Sequence, residues 1–327
     1  MSAPTLVAVV IPCFRVREQV LGVIARIGPE VGLIVVVDDG CPEGSADHVE
    51  ANCRDPRVVV VRHAQNQGVG GAVCSGYTTA MERNAGIVVK VDGDGQMDPA
   101  LIPLLIAPIL RGESDYVKGN RFHNLSDVRG MPRVRLIGNA GLSFLNKLST
   151  GYWQVFDPTN GFTAIHANLL AQLPLEYLAR RYFFESDLLY QLGQLRARVS
   201  DMPMRAVYAE EPSSLRPSRV FGPFLRGHLR NIMRRLFYTY FVRGFSLASV
   251  ELALGNIAVL FGVCFGLWHW IASATTNVPA SAGTVMLAAL PVVIGTQLLL
   301  SWLNYDVHQE PTQTISAMLP PPNTPPR

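Results

Sequence analysis

Asp92-Gly93-Asp94-Gly95-Gln96 follows an apolar run at residues 87–91, which puts two carboxylates and an amide at the end of a buried strand. Hard oxygen donors in that position suit a Mg²⁺ or Mn²⁺ ion that carries a diphosphate. Such an ion takes one or two carboxylates from the protein and fills the rest of its shell with phosphate oxygens. Gly93 and Gly95 let the backbone come close to the bound group. The competing reading is a plain surface turn, because Asp and Gly are ordinary turn residues. Against it stands a second acidic pair, Asp38-Asp39, at the end of another apolar run, where a carboxylate can accept hydrogen bonds from a base or a ribose. Pro12-Cys13-Phe14 ends a third run and adds a fixed turn and an aromatic face. Asp157, in Asp157-Pro158-Thr159-Asn160-Gly161-Phe162, supplies a carboxylate to orient an acceptor or take its proton.

These residues need a scaffold, and the spacing of apolar runs predicts one. Strands are expected at residues 6–11, 32–37, 58–61 and 87–91, with helices at 17–27, 45–53 and 72–84 between them. Strands apolar on both faces and joined by helices make a parallel sheet. Ligands of such sheets gather beyond the carboxyl ends of the strands, where each polar cluster named above falls. The middle of the chain is less regular; helices are expected at 133–148 and 185–195, and the acceptor side of the site is placed there. His63-x-x-Asn66-x-Gly68 leads into Gly70-Gly71, but it lacks the G-x-G-x-x-G spacing and follows the third strand, which excludes a dinucleotide fingerprint.

From residue 221 to 241 the pattern becomes that of a basic amphipathic helix. Leu225, Leu229, Ile232, Met233, Leu236 and Tyr240 recur at helical spacing, while Arg226, Arg230 and Arg234 form a separate ridge. Such a helix commonly lies in a membrane interface. Two apolar spans follow at 247–272 and 285–303, each close to the length needed to cross the hydrocarbon core of a bilayer. The loop between them carries no charge, and arginines crowd the stretch before them, so the positive-inside rule puts both ends of the hairpin in the cytoplasm. The Pro-rich end of the chain has too little apolar surface to bury and is expected to be disordered.

The expected organisation is therefore a catalytic α/β domain at residues 1–212, juxtamembrane helices at 213–245, two transmembrane helices at 246–304 and a disordered tail at 305–327. The 327 residues are enough to bury a sizeable core. The net charge of +3 says little as a total, and no nucleic-acid partner is expected. Five scattered cysteines show no metal-ligand spacing and suit reduced thiols in a cytosolic domain. The first apolar run is too short for a signal peptide and reads as a strand.

Taken in order, Ile11-Pro12-Cys13-Phe14, Val37-Asp38-Asp39-Gly40, His63-x-x-Asn66-x-Gly68, Asp92-x-Asp94-x-Gln96 and Asp157-x-x-Asn160-Gly161-Phe162 make a set that resembles the family 2 glycosyltransferases of GT-A fold. With its C-terminal hairpin the chain is similar to the polyprenyl-phosphate glycosyltransferases, relatives of dolichol-phosphate mannose synthase. The resemblance implies a Rossmann-like, mostly parallel sheet. It implies a nucleotide-sugar donor held by Pro12, Phe14, Glu18, Asp38, Asp39 and Asp92, and Mg²⁺ or Mn²⁺ at Asp94 with Asp92 and Gln96. It places the acceptor phosphate among Arg121, Arg135, Asn139 and Arg205, and it allows for a homo-oligomer. The chain departs from its relatives in three places. Arg15-Val16-Arg17-Glu18 stands where Asn-Glu is usual, Cys41 where serine is frequent, and Val69 where many have lysine.

The function expected on these grounds is inverting, metal-dependent transfer of one sugar from a nucleoside diphosphate to polyprenyl phosphate at the cytoplasmic face of the membrane. A lipid phosphate is already ionised near neutral pH, its second pKa being about 6, so Asp157 need only orient the site. A sugar hydroxyl as acceptor, on a lipid-linked sugar or another membrane lipid, would need Asp157 as base. A processive synthase is disfavoured by the absence of Gln-x-x-Arg-Trp. A catalytically silent membrane protein is disfavoured by the intact Asp92, Asp94 and Asp157.

Overall fold

The computed structural model describes residues 5–123, 133–204 and 217–322. It divides into two compact units, residues 1–232 with 311–327, and residues 233–310.

In the first unit β1 (Val7–Cys13), α1 (Arg17–Ala25), β2 (Leu33–Asp38), α2 (Ser45–Asn52), β3 (Val58–Arg62), α3 (Val69–Glu82) and β4 (Ile87–Lys90) alternate as the apolar runs require. Then come α4 (Ile102–Leu110), β5 (Tyr116–Asn120), α5 (Arg133–Thr150), β6 (Thr163–His166), the single turn α6 (Ala167–Leu170), α7 (Phe184–Leu195) and β7 (Val199–Pro203). The seven strands form one sheet in the order β3-β2-β1-β4-β6-β5-β7. All neighbours pair in parallel except β6, which runs antiparallel to both β4 and β5. Every residue of β2 and β4 is buried, and β1 is buried apart from the half-buried Pro12, as expected of strands covered on both faces. One apolar layer packs α1 and α4 on the sheet through Val20, Val23, Leu105 and Ile109; the other packs α3 and α7 through Tyr77, Leu188 and Leu189. Because β6 is reversed, the turn that precedes it lies at the same rim as the carboxyl end of β4.

The helix α8 (Pro217–Phe237) replaces the expected 221–241 helix and passes into a π-helical turn, Tyr238–Arg243. Its part up to residue 232 is docked by polar contacts. Asn231 Nδ2 donates to Asp187 Oδ1 at 2.9 Å, Arg230 Nη2 lies 3.3 Å from the same oxygen, and His228 Nδ1 is 2.9 Å from Ser149 Oγ. Arg230 of the basic ridge therefore pairs with a domain carboxylate, while Arg226 remains exposed.

The second unit is built on α9 (Leu247–Thr276) and α10 (Ala282–His308), an antiparallel pair long and apolar enough to cross a membrane. They approach to backbone contact: a Cβ on Gly262 would come within 2.6 Å of the Ala288 carbonyl oxygen. Small residues at such crossings permit the close packing that drives association in lipid. Ser301 Oγ donates to Glu251 Oε1 at 2.8 Å, so Glu251 serves the helix pair. Asp306 accepts from Tyr240 Oη at 2.6 Å and pairs with Arg235.

The expectation of a disordered tail from residue 305 is corrected: residues 305–308 complete α10, and residues 311–322 are ordered as well. The latter lie along the first unit, with a 3₁₀ turn at Ser316–Met318. The fully buried Asp115 carboxylate accepts the amides of Ile315 at 3.1 Å and Ser316 at 2.8 Å, and also the Ser316 hydroxyl. Asn168 Nδ2 donates to the Ser316 carbonyl at 3.0 Å. Composition suggested disorder because few side chains there are apolar; backbone amides aimed at one buried carboxylate hold the segment instead.

Burial pushes the His228 imidazole down from about 6.5 to about 4. The unfolded chain therefore takes up a proton between those values while the folded chain does not, and stability present above pH 6.5 is lost as pH falls through 4. Relative to a His228→Gln variant, the protein should lose about 3 kcal/mol between pH 7 and pH 4. Denaturant titration at several pH values measures this; parallel curves for the two proteins would contradict it.

Candidate functional site

The carboxyl ends of β1, β2 and β4 bring the first three clusters to one rim. Cys13 pairs in register with Asp38, the Asp39 amide donates to the Cys13 carbonyl at 3.0 Å, and the Val91 amide donates to the Val10 carbonyl at 3.0 Å. Beyond β4 the chain turns tightly. The Gln96 amide donates to Asp94 Oδ1 at 3.0 Å, and the buried Met97 closes the turn beneath Asp92. Gln96 itself is exposed, while Asp92 and Asp94 are half-buried. Burial raises the Asp94 pKa, the Gln96 amide opposes that shift, and the neighbouring Asp92 charge adds to it. Asp92 Oδ1 is buried without a hydrogen bond, although Lys90 Nζ lies 2.9 Å away as an ion-pair partner. Lys90 offsets one carboxylate of the pair and leaves the other, Asp94, with its charge disfavoured, which fits a divalent cation that would supply the remaining positive charge. Among the described residues no group of three or more His, Cys, Asp or Glu side chains is placed to hold a metal. The two aspartates fit an ion whose remaining ligands come from a diphosphate.

Asp38 and Asp39 are buried and already engaged. Asp38 accepts the amides of Cys41 at 2.7 Å and Ala46 at 2.8 Å, so it caps the entry to α2. Asp39 accepts the amides of Gln67 and Gly68, both at 2.8 Å, and its Oδ1 lies 2.7 Å from His63 Nδ1. His63 Nε2 reaches Ser75 Oγ at 2.8 Å, which ties the His63-to-Gly68 loop to β2 and α3. Phe14 is exposed at the rim with the Arg15 guanidinium over its ring, 5.4 Å from the centroid, and Pro12 is half-buried. Glu18 is exposed in the first turn of α1.

On the other side of β4 the turn before β6 carries Asp157, which is fully buried. Arg121 grips it with two prongs, Nε to Oδ2 at 2.7 Å and Nη2 to Oδ1 at 3.0 Å, and the Arg121 amide reaches Oδ2 at 3.3 Å. Arg121 keeps about a third of its side chain exposed (35%). Asn160 ties the turn to β5 by donating to the Gly119 carbonyl at 2.8 Å, and closes it by accepting the Phe162 amide at 3.0 Å. Arg135 and Asn139 are on α5, but their side chains fall outside the described residues, and so does Arg205.

Four residues of the site escaped the sequence reading. Lys90 joins Asp92 to Glu185, whose Oε1 is 3.1 Å from its Nζ. Burial alone would lower the Lys90 pKa, but Asp92 and Glu185 hold it raised. Lys118 Nζ donates to the Asn160 carbonyl, and burial pushes its pKa down to about 8. Asp201 accepts the Phe156 amide at 2.9 Å and Asn120 Nδ2 at 3.1 Å, and burial raises its pKa. A signal for the lysines existed: the chain has only three, and two of them sit inside apolar strand runs.

Known proteins are similar to this chain over the same region. The family model described as Glycosyl transferase family 2 matches residues 8–173, from β1 through the carboxylate clusters and beyond β6. A UDP-N-acetylglucosamine–dolichyl-phosphate N-acetylglucosaminyltransferase of Methanococcus voltae is 29% identical over 222 residues, covering 64% of this chain and 88% of the relative. An undecaprenyl-phosphate mannosyltransferase of Micrococcus luteus is 26% identical over 221 residues, covering 66% and 89%. Among solved structures, glucosyl-3-phosphoglycerate synthase from Mycobacterium tuberculosis with Mg²⁺ and uridine diphosphate superposes with a TM-score of 0.54 at 22% identity, covering 71% of this chain and 79% of that one. That likeness shows the GT-A-like fold. The chain is a glycosyltransferase and belongs to glycosyl transferase family 2.

Proposed function

We propose that the protein transfers a single sugar, with inversion, from a nucleoside diphosphate to a polyprenyl phosphate at the cytoplasmic face of a membrane that α9 and α10 cross. The observation that carries this reading is the two-pronged pairing of Arg121 with the buried Asp157, on the rim that also bears Asp92 and Asp94. Asp157 is fully buried and both of its oxygens accept from Arg121, so the carboxylate is turned to the guanidinium rather than open to an acceptor hydroxyl. Such a carboxylate orients a guanidinium, and guanidinium forks match phosphate oxygens. An acceptor phosphate held there arrives ionised and needs no base. The alternative of a sugar-hydroxyl acceptor, which requires Asp157 to accept a proton, is disfavoured by the same pairing.

Asp92 and Asp94 would hold Mg²⁺ or Mn²⁺ against the donor diphosphate. The ion would neutralise the charge that develops as the diphosphate leaves. Asp38 and Asp39 act through the backbone they fix: they hold the turn at residues 39–41 and the loop at 63–68 against which the nucleotide would rest, with Phe14 and Pro12 beside it. Relatives named for dolichyl- and undecaprenyl-phosphate transfer support the choice of acceptor. The arginine-rich stretch before α9 supports a cytoplasmic catalytic unit.

Membranes containing the protein should form a labelled glycolipid from one member of a panel of UDP- and GDP-sugars with polyprenyl phosphate, and EDTA should abolish the product. Asp94→Ala should remove activity while membrane insertion persists. No transfer by the wild type with any donor of the panel would overturn the proposal. Asp157→Asn frees Arg121 from one prong; kcat should fall about 100-fold with donor binding retained, as expected when an orienting group is lost. Unchanged turnover in that variant would remove Asp157 from the mechanism.

A further inference from the structure

The reaction as described leaves two buried lysines without a task. Lys90 in β4 and Lys118 in β5 are both paired in register with Thr163 of the intervening β6, so three polar residues form one row across the sheet. Strand alternation turns that row to the face shared with Val88, Tyr116 and Ile165, which α3 and α7 cover. The lysines are 1% and 0% exposed, and an ammonium withdrawn from water costs several kcal/mol unless partners offset it. Two apolar residues at these positions would complete the core, so the cost has to be explained.

The partners supply the explanation. Lys90 Nζ stands between Asp92 Oδ1 at 2.9 Å and Glu185 Oε1 at 3.1 Å, with Glu185 coming from the first turn of α7. Lys118 Nζ donates to the carbonyl oxygen of Asn160. The turn at residues 157–161 is the link between the two. At Asn160 it is held by Lys118. One residue on, Gly161 lies directly on the Lys90–Asp92 pair: a Cβ there would run into Lys90 Nζ and come within 2.7 Å of Asp92 Oδ2. The same turn begins at Asp157, which holds Arg121. The donor-side carboxylate and the acceptor-side carboxylate are thus joined by one short turn with a buried cation at each of two adjacent residues.

We propose that Lys90 and Lys118 are positioning residues, forming a buried clamp on the turn at residues 157–161 that fixes the spacing between Asp92 and the Asp157–Arg121 pair. The donor and acceptor labels rest on the function proposed above; the clamp itself does not. Glu185 completes it by anchoring Lys90 to α7. An in-line transfer is sensitive to misplacements of an ångström or so, which is the gain that offsets two buried charges.

The test uses the full-length protein in nanodiscs and two variants. Lys118→Met removes the ammonium and keeps an apolar side chain of similar length. Lys90→Met with Glu185→Leu replaces the buried ion pair with α7 by apolar groups, so that the only charged partner left without Lys90 is the partly exposed Asp92 at the rim. Hydrogen exchange followed by mass spectrometry reports on peptides covering residues 157–162, whose amides at Asn160 and Phe162 close the turn. Both variants should exchange about tenfold faster there, with β1 and β2 unchanged, because only local opening is eased. Exchange equal to wild type overturns the clamp, and uniformly faster exchange across the domain overturns it in favour of a general contribution to stability. In glycosyl transfer, Lys118→Met should lower kcat about tenfold at unchanged donor KM, whereas the double variant should also raise donor KM by loosening Asp92. An unaltered kcat in a variant whose turn has loosened overturns the positioning role. If the wild type transfers no sugar, the function proposed above fails while the exchange measurement still decides the clamp.

Discussion

Like charges crowded at one rim of the sheet are the constraint on which the rest of this structure depends. Asp38, Asp39, Asp92, Asp94 and Asp157 all reach the end of the sheet where β1, β2 and β4 finish and β6 begins, and they differ in how fully they are partnered there. Asp38 and Asp39 take backbone amides, Asp92 takes Lys90, and Asp157 takes Arg121. Asp94 has one amide and a carboxyl whose charge is disfavoured by burial and by Asp92. The electrostatic imbalance is thus local, at the place where a cation bearing a diphosphate would restore it.

The two faces of the sheet divide the work. The α1 and α4 face carries a large apolar cluster that supplies stability. The α3 and α7 face carries the buried row of Lys90, Thr163 and Lys118 directly under the turn that bears Asp157. Polar groups in that position give the rim a fixed geometry that apolar packing, being non-directional, does not impose. The reversed strand β6 makes this possible, because it delivers the 157–161 turn to the end of β4 from the opposite direction.

Outside the site, the units show how little charge is left unpaired when it is buried. In the hairpin unit Arg235, Tyr240 and Asp306 form a closed polar group, and Glu251 is tied to Ser301. In the first unit Asp115 gathers the amides of the returning tail at the edge formed by β5 and β7. Each is a carboxylate satisfied by donors distant in sequence, Asp115 and Asp306 being buried, and composition does not reveal such a pairing.

The sequence alone determined the alternating strands and helices, the two long apolar helices and the identity of the acidic clusters, because apolar periodicity and strand-end polarity are local properties. Val7–Cys13, Leu33–Asp38 and Ile87–Lys90 read directly as buried strands, and Asp92, Asp94 and Asp157 stood out beside them. The tertiary structure alone decided how each carboxylate is used. That Asp39 orders the 63–68 loop, that Asp157 is clamped by Arg121, and that Lys90 reaches Glu185 across 95 residues depends on strand order and the reversal of β6. The tail followed the same rule: proline content argued for disorder, and a single buried aspartate two hundred residues away supplied the hydrogen bonds that order it. Hydrogen bonds and ion pairs form between groups that the fold brings within about 3 Å, and a linear pattern of hydrophobicity carries no information about such pairs.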